Sequence, residues 1–190
     1  MAHADAMRVR AARAEYFAAN GFSEAGYTDR LVKLQLGPVP LYIVNSAARV
    51  RSVRLHDIHH VLTGYDTTVQ GEGEIASFEL AAGCADHWAA WYLNLNALAI
   101  ALPQGTGPLL RAFARGRRSR CLYDREWDEA ILDETVGTLR SRLAIAPREV
   151  EATPGERVAF AATAAAGVAV FLAHFGLLAA LVAAILSGLD

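Results

Sequence analysis

Cysteine is almost missing from this chain. Cys84 and Cys121 are the only two, and no Cys-x-x-Cys spacing links them. A disulfide framework and a thiolate metal knuckle are therefore excluded, and two buried free thiols in a reducing compartment are expected. Net charge is missing as well: 18 Lys and Arg against 20 Asp and Glu leave −2, so charge makes no case for nucleic acid as a partner. Met1 to Gly21 lacks a continuous apolar core, so no secretory signal is expected. Arg8, Arg10 and Arg13, with few acids nearby, fit a transit peptide or an ordinary first helix. What the chain has in excess is apolar surface, 54% of its residues with a mean hydropathy of +0.22. That excess is local. The 190 residues suffice for one domain with a full core.

The most informative stretch is His56-Asp57-Ile58-His59-His60, followed by Val61-Leu62-Thr63-Gly64 and then Gly71-Glu72-Gly73-Glu74. On a helix, positions 56 and 60 are i and i+4, so both imidazoles project from one face. Asp57 lies about 100° round from His56, near enough to turn a carboxylate inward. Gly64 is a helix stop, Tyr65-Asp66-Thr67-Thr68 reads as a reversal, and Gly71-Glu72 opens a second helix with acid in its first turn. If the two helices pack antiparallel, Glu72 returns to face the histidines. Two His and two carboxylates then make a nitrogen and oxygen site suited to a divalent metal, zinc being the expected one. His-x-x-x-His pairs also arise by chance and cap or hydrogen-bond without binding metal. His59, at i+3 from His56, is an alternative to His60.

His-Asp-x-x-His, eleven residues, then Glu, with Leu-Thr-Gly after the second His and Gly before the Glu, resembles the metal signature of the fourth coenzyme-Q biosynthesis protein family. The signature falls on His56, Asp57, His60 and Glu72. The likeness runs on through Ile75 to Leu80, and more weakly over Leu110 to Arg118 and Val136 to Leu143, about half to two-thirds of the chain. The resemblance implies removal of the C1 carboxyl, with an oxidative variant open, from a polyprenylated 4-hydroxybenzoate in ubiquinone biosynthesis. It also implies a divalent metal on those four residues, with His59 and Glu74 candidates for orienting ligands or moving protons. Expected partners are a polyprenylated aromatic or quinone lipid, the membrane and other quinone-biosynthesis proteins, with no nucleic acid. A non-catalytic prenyl-lipid-binding scaffold is the alternative, as is the same site acting on another prenylated aromatic.

The rest of the chain reads as mainly α. Ala4 to Ala19 is a helix ended by Asn20-Gly21. Leu31 to Leu36 and Leu41 to Val44, broken by Gly37-Pro38-Val39-Pro40, form a short β-hairpin. Asp86 is a candidate N-cap for the apolar run His87 to Leu102, which Pro103 stops. At ~16 residues that run is a buried core helix, or the lining of an isoprenoid channel. Leu109 to Gly116 makes another helix, whose Arg115 to Arg120 end is either solvated or an anion site. Asp133-Glu134 starts a last amphipathic helix with Val136, Leu139 and Leu143 on one face.

Residues 1–146 are thus one helical metal-site domain, 147–157 a linker and 158–186 a hydrophobic tail. No charge interrupts Val158 to Leu186, and at 1.5 Å per residue the stretch exceeds the ~30 Å hydrocarbon core. A C-terminal transmembrane anchor is expected, with the domain on the cytoplasmic side of a bacterial inner membrane. The alternative is a pair of short Ala-rich helices, turning near His174 to Gly176, that lie on the membrane or cover the domain's own apolar groove. The family does not characteristically end in such a tail, which leaves assembly with its usual partners open.

Overall fold

A computed structural model describes residues 3–36 and 39–187. Among the described residues the chain is mostly helical, with eight α-helices and one two-stranded antiparallel hairpin. Helix α1 (Val9–Asn20) ends at Gly21, which takes the left-handed φ of 67° that glycine tolerates. A short α2 (Ala25–Thr28) leads to β1 (Leu31–Leu36) and β2 (Val39–Val44), in register from Leu31 opposite Val44 to Leu36 opposite Val39. Val39 and Pro40 belong to the second strand and not to the break. A proline is tolerated there because a two-stranded ladder has an unpaired outer side.

Helix α3 (Ala47–Thr63) starts where the Ser46 hydroxyl accepts from the Arg49 N–H at 3.2 Å, and stops at Gly64 with φ 77°. The Thr68 hydroxyl accepts from Gly71 N–H at 3.1 Å and opens α4 (Val69–Ala82). Then follow α5 (Trp88–Ala101), α6 (Thr106–Arg117), α7 (Val136–Arg142) and α8 (Pro154–Ser187). The core has two main parts. Leu55, Ile58, Val61 and Leu62 of α3 pack with Val9, Ala12 and Tyr16 of α1 and with Val136 and Leu139 of α7. Ala76 and Leu80 of α4 pack with Leu98 and Ala101 of α5, Leu109 and Phe113 of α6, and Phe160 of α8. Each fully buried Leu or Ile contributes about 1.5–3 kcal/mol, which fixes α3 against α1 and α7.

Several sequence expectations are corrected in detail. Asp86 does not cap α5, because its carboxylate pairs with Arg51 Nη2 at 2.9 Å. α5 is not wholly buried: Ala89, Ala90, Asn94, Leu98 and Ala101 face inward, while Trp88, Trp91 and Tyr92 are exposed. Helix α7 begins at Val136 because the Thr135 hydroxyl caps it, leaving Asp133 and Glu134 outside to pair with Arg10 and Arg142. Arg115 is not part of a solvated helix end. It is buried and donates to the Thr63 and Ala146 carbonyls at 2.9 and 2.8 Å, closing the C-terminal end of α3.

The hydrophobic tail is one continuous helix through His174 to Gly176, not two short ones, and it is long and apolar enough to cross a membrane. It begins at Pro154, inside the stretch expected as linker, with Glu156 bound to Arg118 at 3.1 Å. Its first half packs on α5 and α6, where the Phe113 and Phe160 rings meet at 5.7 Å. Both cysteines are buried free thiols, and burial pushes Cys84 up strongly and Cys121 up to about 12.

Candidate metal centre

His56, Asp57, His59 and His60 all lie on the C-terminal half of α3, and Glu72 ends the first turn of α4. The glycines on either side of Glu72 have a steric reason. A Cβ on Gly71 would meet Asp66 Oδ1 at 2.1 Å, and one on Gly73 would meet Ala101 Cβ at 2.2 Å. Only bare backbone lets α4 seat against the preceding turn and α5, and that seating carries Glu72 over α3.

Three of the four expected ligands converge. His56 Nε2 lies 3.1 Å from His60 Nε2, and the Glu72 carboxylate oxygens lie 3.6 Å from each. The protons on the rings follow from their other partners. His60 Nδ1 faces the Tyr65 carbonyl at 3.1 Å, and His56 Nδ1 faces Glu79 Oε1 at 3.0 Å. Carbonyl and carboxylate oxygens only accept, so each Nδ1 carries hydrogen and each neutral ring turns an Nε2 lone pair into the site. Two lone pairs and a carboxylate then meet with no donor between them, an arrangement that needs a cation or an added proton. The separations suit a metal: ligands ~2.05 Å from a tetrahedral ion stand ~3.4 Å apart. Two imidazoles and one carboxylate are a zinc-type donor set with room for a further ligand.

With a proton in that place, the electrostatics are lopsided. Burial disfavours charge on His56, but Glu79 and Glu72 outweigh it and hold its pKa well above the usual imidazole value. Burial would likewise raise Glu72, yet His56 and His60 hold it well below the carboxylate range. The same contest at Glu79 is won by His56 and His59.

Asp57 stands apart from the three. Its Oδ2 accepts from the Tyr27 hydroxyl at 2.5 Å, and burial raises its pKa. His59 is fully buried with both nitrogens in use: Nδ1 donates to Glu79 Oε1 at 2.7 Å, and Nε2 accepts from the Leu122 N–H at 2.8 Å. His60 and not His59 therefore faces Glu72. Glu74 lies 3.6 Å from Arg148 and away from the histidines. Two residues along a helix is about 200° of rotation, so Glu72 and Glu74 cannot share a face.

The residue that supports the site from behind is Glu79, which sequence reasoning did not single out. Seven residues on from Glu72, it is two turns along the same face. One oxygen accepts from His56 Nδ1–H and His59 Nδ1–H, and the other accepts from Asn94 Nδ2 at 2.6 Å and the Tyr123 hydroxyl at 2.8 Å. A carboxylate holding the far nitrogen of a ligand histidine fixes its tautomer and raises its basicity. One acid inside the apolar run Ile75 to Leu80 was the available signal. Tyr16 of α1 was also missed; its ring stacks on His60 at 5.3 Å and 19°.

Glu72 is 37% exposed and His56 20%, whereas the His60 side chain is fully buried. The centre thus opens to solvent on its Glu72 side. No family model, curated protein or solved structure matches the chain.

Proposed function

We propose that the chain is a membrane-associated metalloenzyme in which His56, His60 and Glu72 hold a divalent cation, most simply zinc, next to Asp57. The reaction we propose is removal of the C1 carboxyl from a polyprenylated 4-hydroxybenzoate in ubiquinone biosynthesis, a lyase reaction. The carbon–carbon bond to the carboxyl breaks, carbon dioxide leaves, and the ring carbon takes up a proton, so no oxidant is needed. The reaction class comes from the resemblance of the His-Asp-x-x-His…Glu motif to the fourth coenzyme-Q biosynthesis family. The observation that carries the metal is the pair of facing Nε2 lone pairs beside the Glu72 carboxylate.

Bound there, the cation supplies a Lewis acid that steadies negative charge developing as the carboxyl leaves. Three protein ligands leave a coordination position for substrate, where four would close the site as in structural zinc centres. Glu79 keeps His56 in the ligating tautomer, and His59 locks Glu79 in turn. Asp57, with its raised pKa and Tyr27 partner, is a candidate to hold or pass a proton at the edge of the site. The partly exposed Glu72 gives the substrate head a way in. The apolar α8 accords with a lipid substrate and with attachment to a bacterial inner membrane, the domain on the cytoplasmic side.

The test is metal content paired with turnover on the full chain in detergent. Parent and Glu72→Ala are assayed for bound metal and for carbon dioxide release from a short-chain prenylated 4-hydroxybenzoate. About one metal per chain with turnover, both lost in the variant while it stays folded, supports the reading. Metal without turnover on any such substrate replaces the enzyme with a prenyl-lipid-binding scaffold.

A further inference from the structure

The tail packs on the domain at least as far along as His174. A Cβ on Gly167 would meet the Leu95 carbonyl oxygen at 2.7 Å and the Ala99 nitrogen at 3.8 Å, so α8 touches the α5 backbone there. Seven residues later, His174 Nδ1 meets the Tyr92 hydroxyl at 2.7 Å. The two helices therefore run antiparallel, and the numbering of α5 falls toward Trp88 as that of α8 rises toward Ser187. A bilayer entered by α8 beyond His174 would therefore meet the N-terminal end of α5.

That end of α5 is built for the contact. Trp88, Trp91 and Tyr92 are 64%, 38% and 37% exposed, a cluster of three large aromatics within five residues. Beside them α8 exposes Leu172, Phe175 and Leu177. Just before them in the chain Asp86 pairs with Arg51, which also binds Glu126. Exposed Trp and Tyr beside an apolar helix match a membrane interface, where such aromatics collect at headgroup depth. We propose that Trp88, Trp91 and Tyr92 form a second membrane contact, seating the domain in the headgroup layer beside α8. The partner is a lipid bilayer. This rests on α8 entering the membrane, and it adds that the domain lies against the surface instead of hanging from a tether.

The test is depth-dependent quenching of tryptophan emission in vesicles of phosphatidylcholine and phosphatidylglycerol carrying bromine at set acyl positions. The full chain is used in three forms, each with a single tryptophan. The first keeps Trp88 (Trp91→Phe, Trp127→Phe), and the second keeps Trp127 (Trp88→Phe, Trp91→Phe). The third is a tail reporter, Phe175→Trp with all three native tryptophans changed to Phe. We expect shallow bromines to quench Trp88 about twofold or more, the tail reporter to be quenched as well, and Trp127 to be unaffected. Quenching of the tail reporter with Trp88 no more affected than Trp127 overturns the second contact and leaves the anchor standing. Quenching of neither removes the membrane reading together with the contact. Crosslinking through Trp88→Cys between two chains, with Trp88 unquenched, assigns the aromatic patch to a second copy and also overturns the proposal.

Discussion

Replacing Glu79 by Gln keeps the shape of the side chain and removes one charge from the middle of the domain. The parent carboxylate accepts four hydrogen bonds, from His56, His59, Asn94 and Tyr123, and is wholly shielded from water. A Gln amide offers one oxygen and one NH2, so whichever way it turns, its NH2 faces two groups that were donors. Two charge-assisted hydrogen bonds are lost, at about 1.5–3 kcal/mol each, or about 3–6 kcal/mol together. Against a total stability of about 5–15 kcal/mol the variant stays folded at low temperature but melts earlier. For a chain of this size that is a Tm drop of roughly 6–24 °C. Without the negative charge at its Nδ1, His56 is a weaker base and ligand, so metal affinity falls by about 10–100-fold. Thermal unfolding followed by circular dichroism measures the first effect, and zinc titration calorimetry below the melting range measures the second. A Glu79→Gln protein with parental Tm and parental zinc affinity would refute the reasoning, because neither the bonds nor the basicity of His56 would then depend on the charge.

Glu72→Ala behaves in the opposite manner: the side chain is partly exposed, so the Tm of the metal-free protein falls less than in Glu79→Gln while metal affinity collapses, both read in the same two assays. Tyr27→Phe leaves the buried Asp57 without its donor and costs about 1–3 kcal/mol in a urea melt. Gly116→Ala destabilises by about 1–3 kcal/mol or more, since the new Cβ would stand 2.2 Å from the Phe78 carbonyl oxygen and force α6 away from α4. The metal-free protein should be most stable in a middle pH window. The depressed pKa of Glu79 gives stability that is present above the ordinary glutamate value of ~4.5 and lost as pH falls through its folded value. The raised pKa of His56 gives stability that is complete below ~6.5 and lost as pH rises through its folded value. Zinc competes with that His56 proton, so its affinity climbs with pH. Melting scans across pH with and without chelator check both limbs.

The fold was legible where local chemistry decides it. Gly64 ends the first helix of the centre as expected, although the second opens at Val69 under the Thr68 cap, two residues before Gly71, and period and composition marked the hairpin and the tail. The i, i+4 rule placed His56 and His60 together, and the glycine-flanked Glu72 met them. The rest depends on contacts distant in sequence. Leu122, 63 positions away, occupies the second nitrogen of His59, and Tyr27, 30 positions away, holds Asp57 aside. Nothing in the motif itself foretells either partner. Asp86 looked like a cap because of its position alone, and it was drawn off by Arg51 from another helix. The docking of α8 likewise needed the Gly167 approach to Leu95, which hydropathy does not encode.

The central claim is that His56, His60 and Glu72 form one metal centre. Its most direct test is elemental analysis of the full chain, stripped with chelator and reloaded with zinc, alongside His60→Ala and His59→Ala. The account predicts about one zinc per parent chain, almost none in His60→Ala, and metal retained in a less stable His59→Ala. A chain that takes up no metal, or one whose metal leaves with His59 and stays without His60, would contradict it.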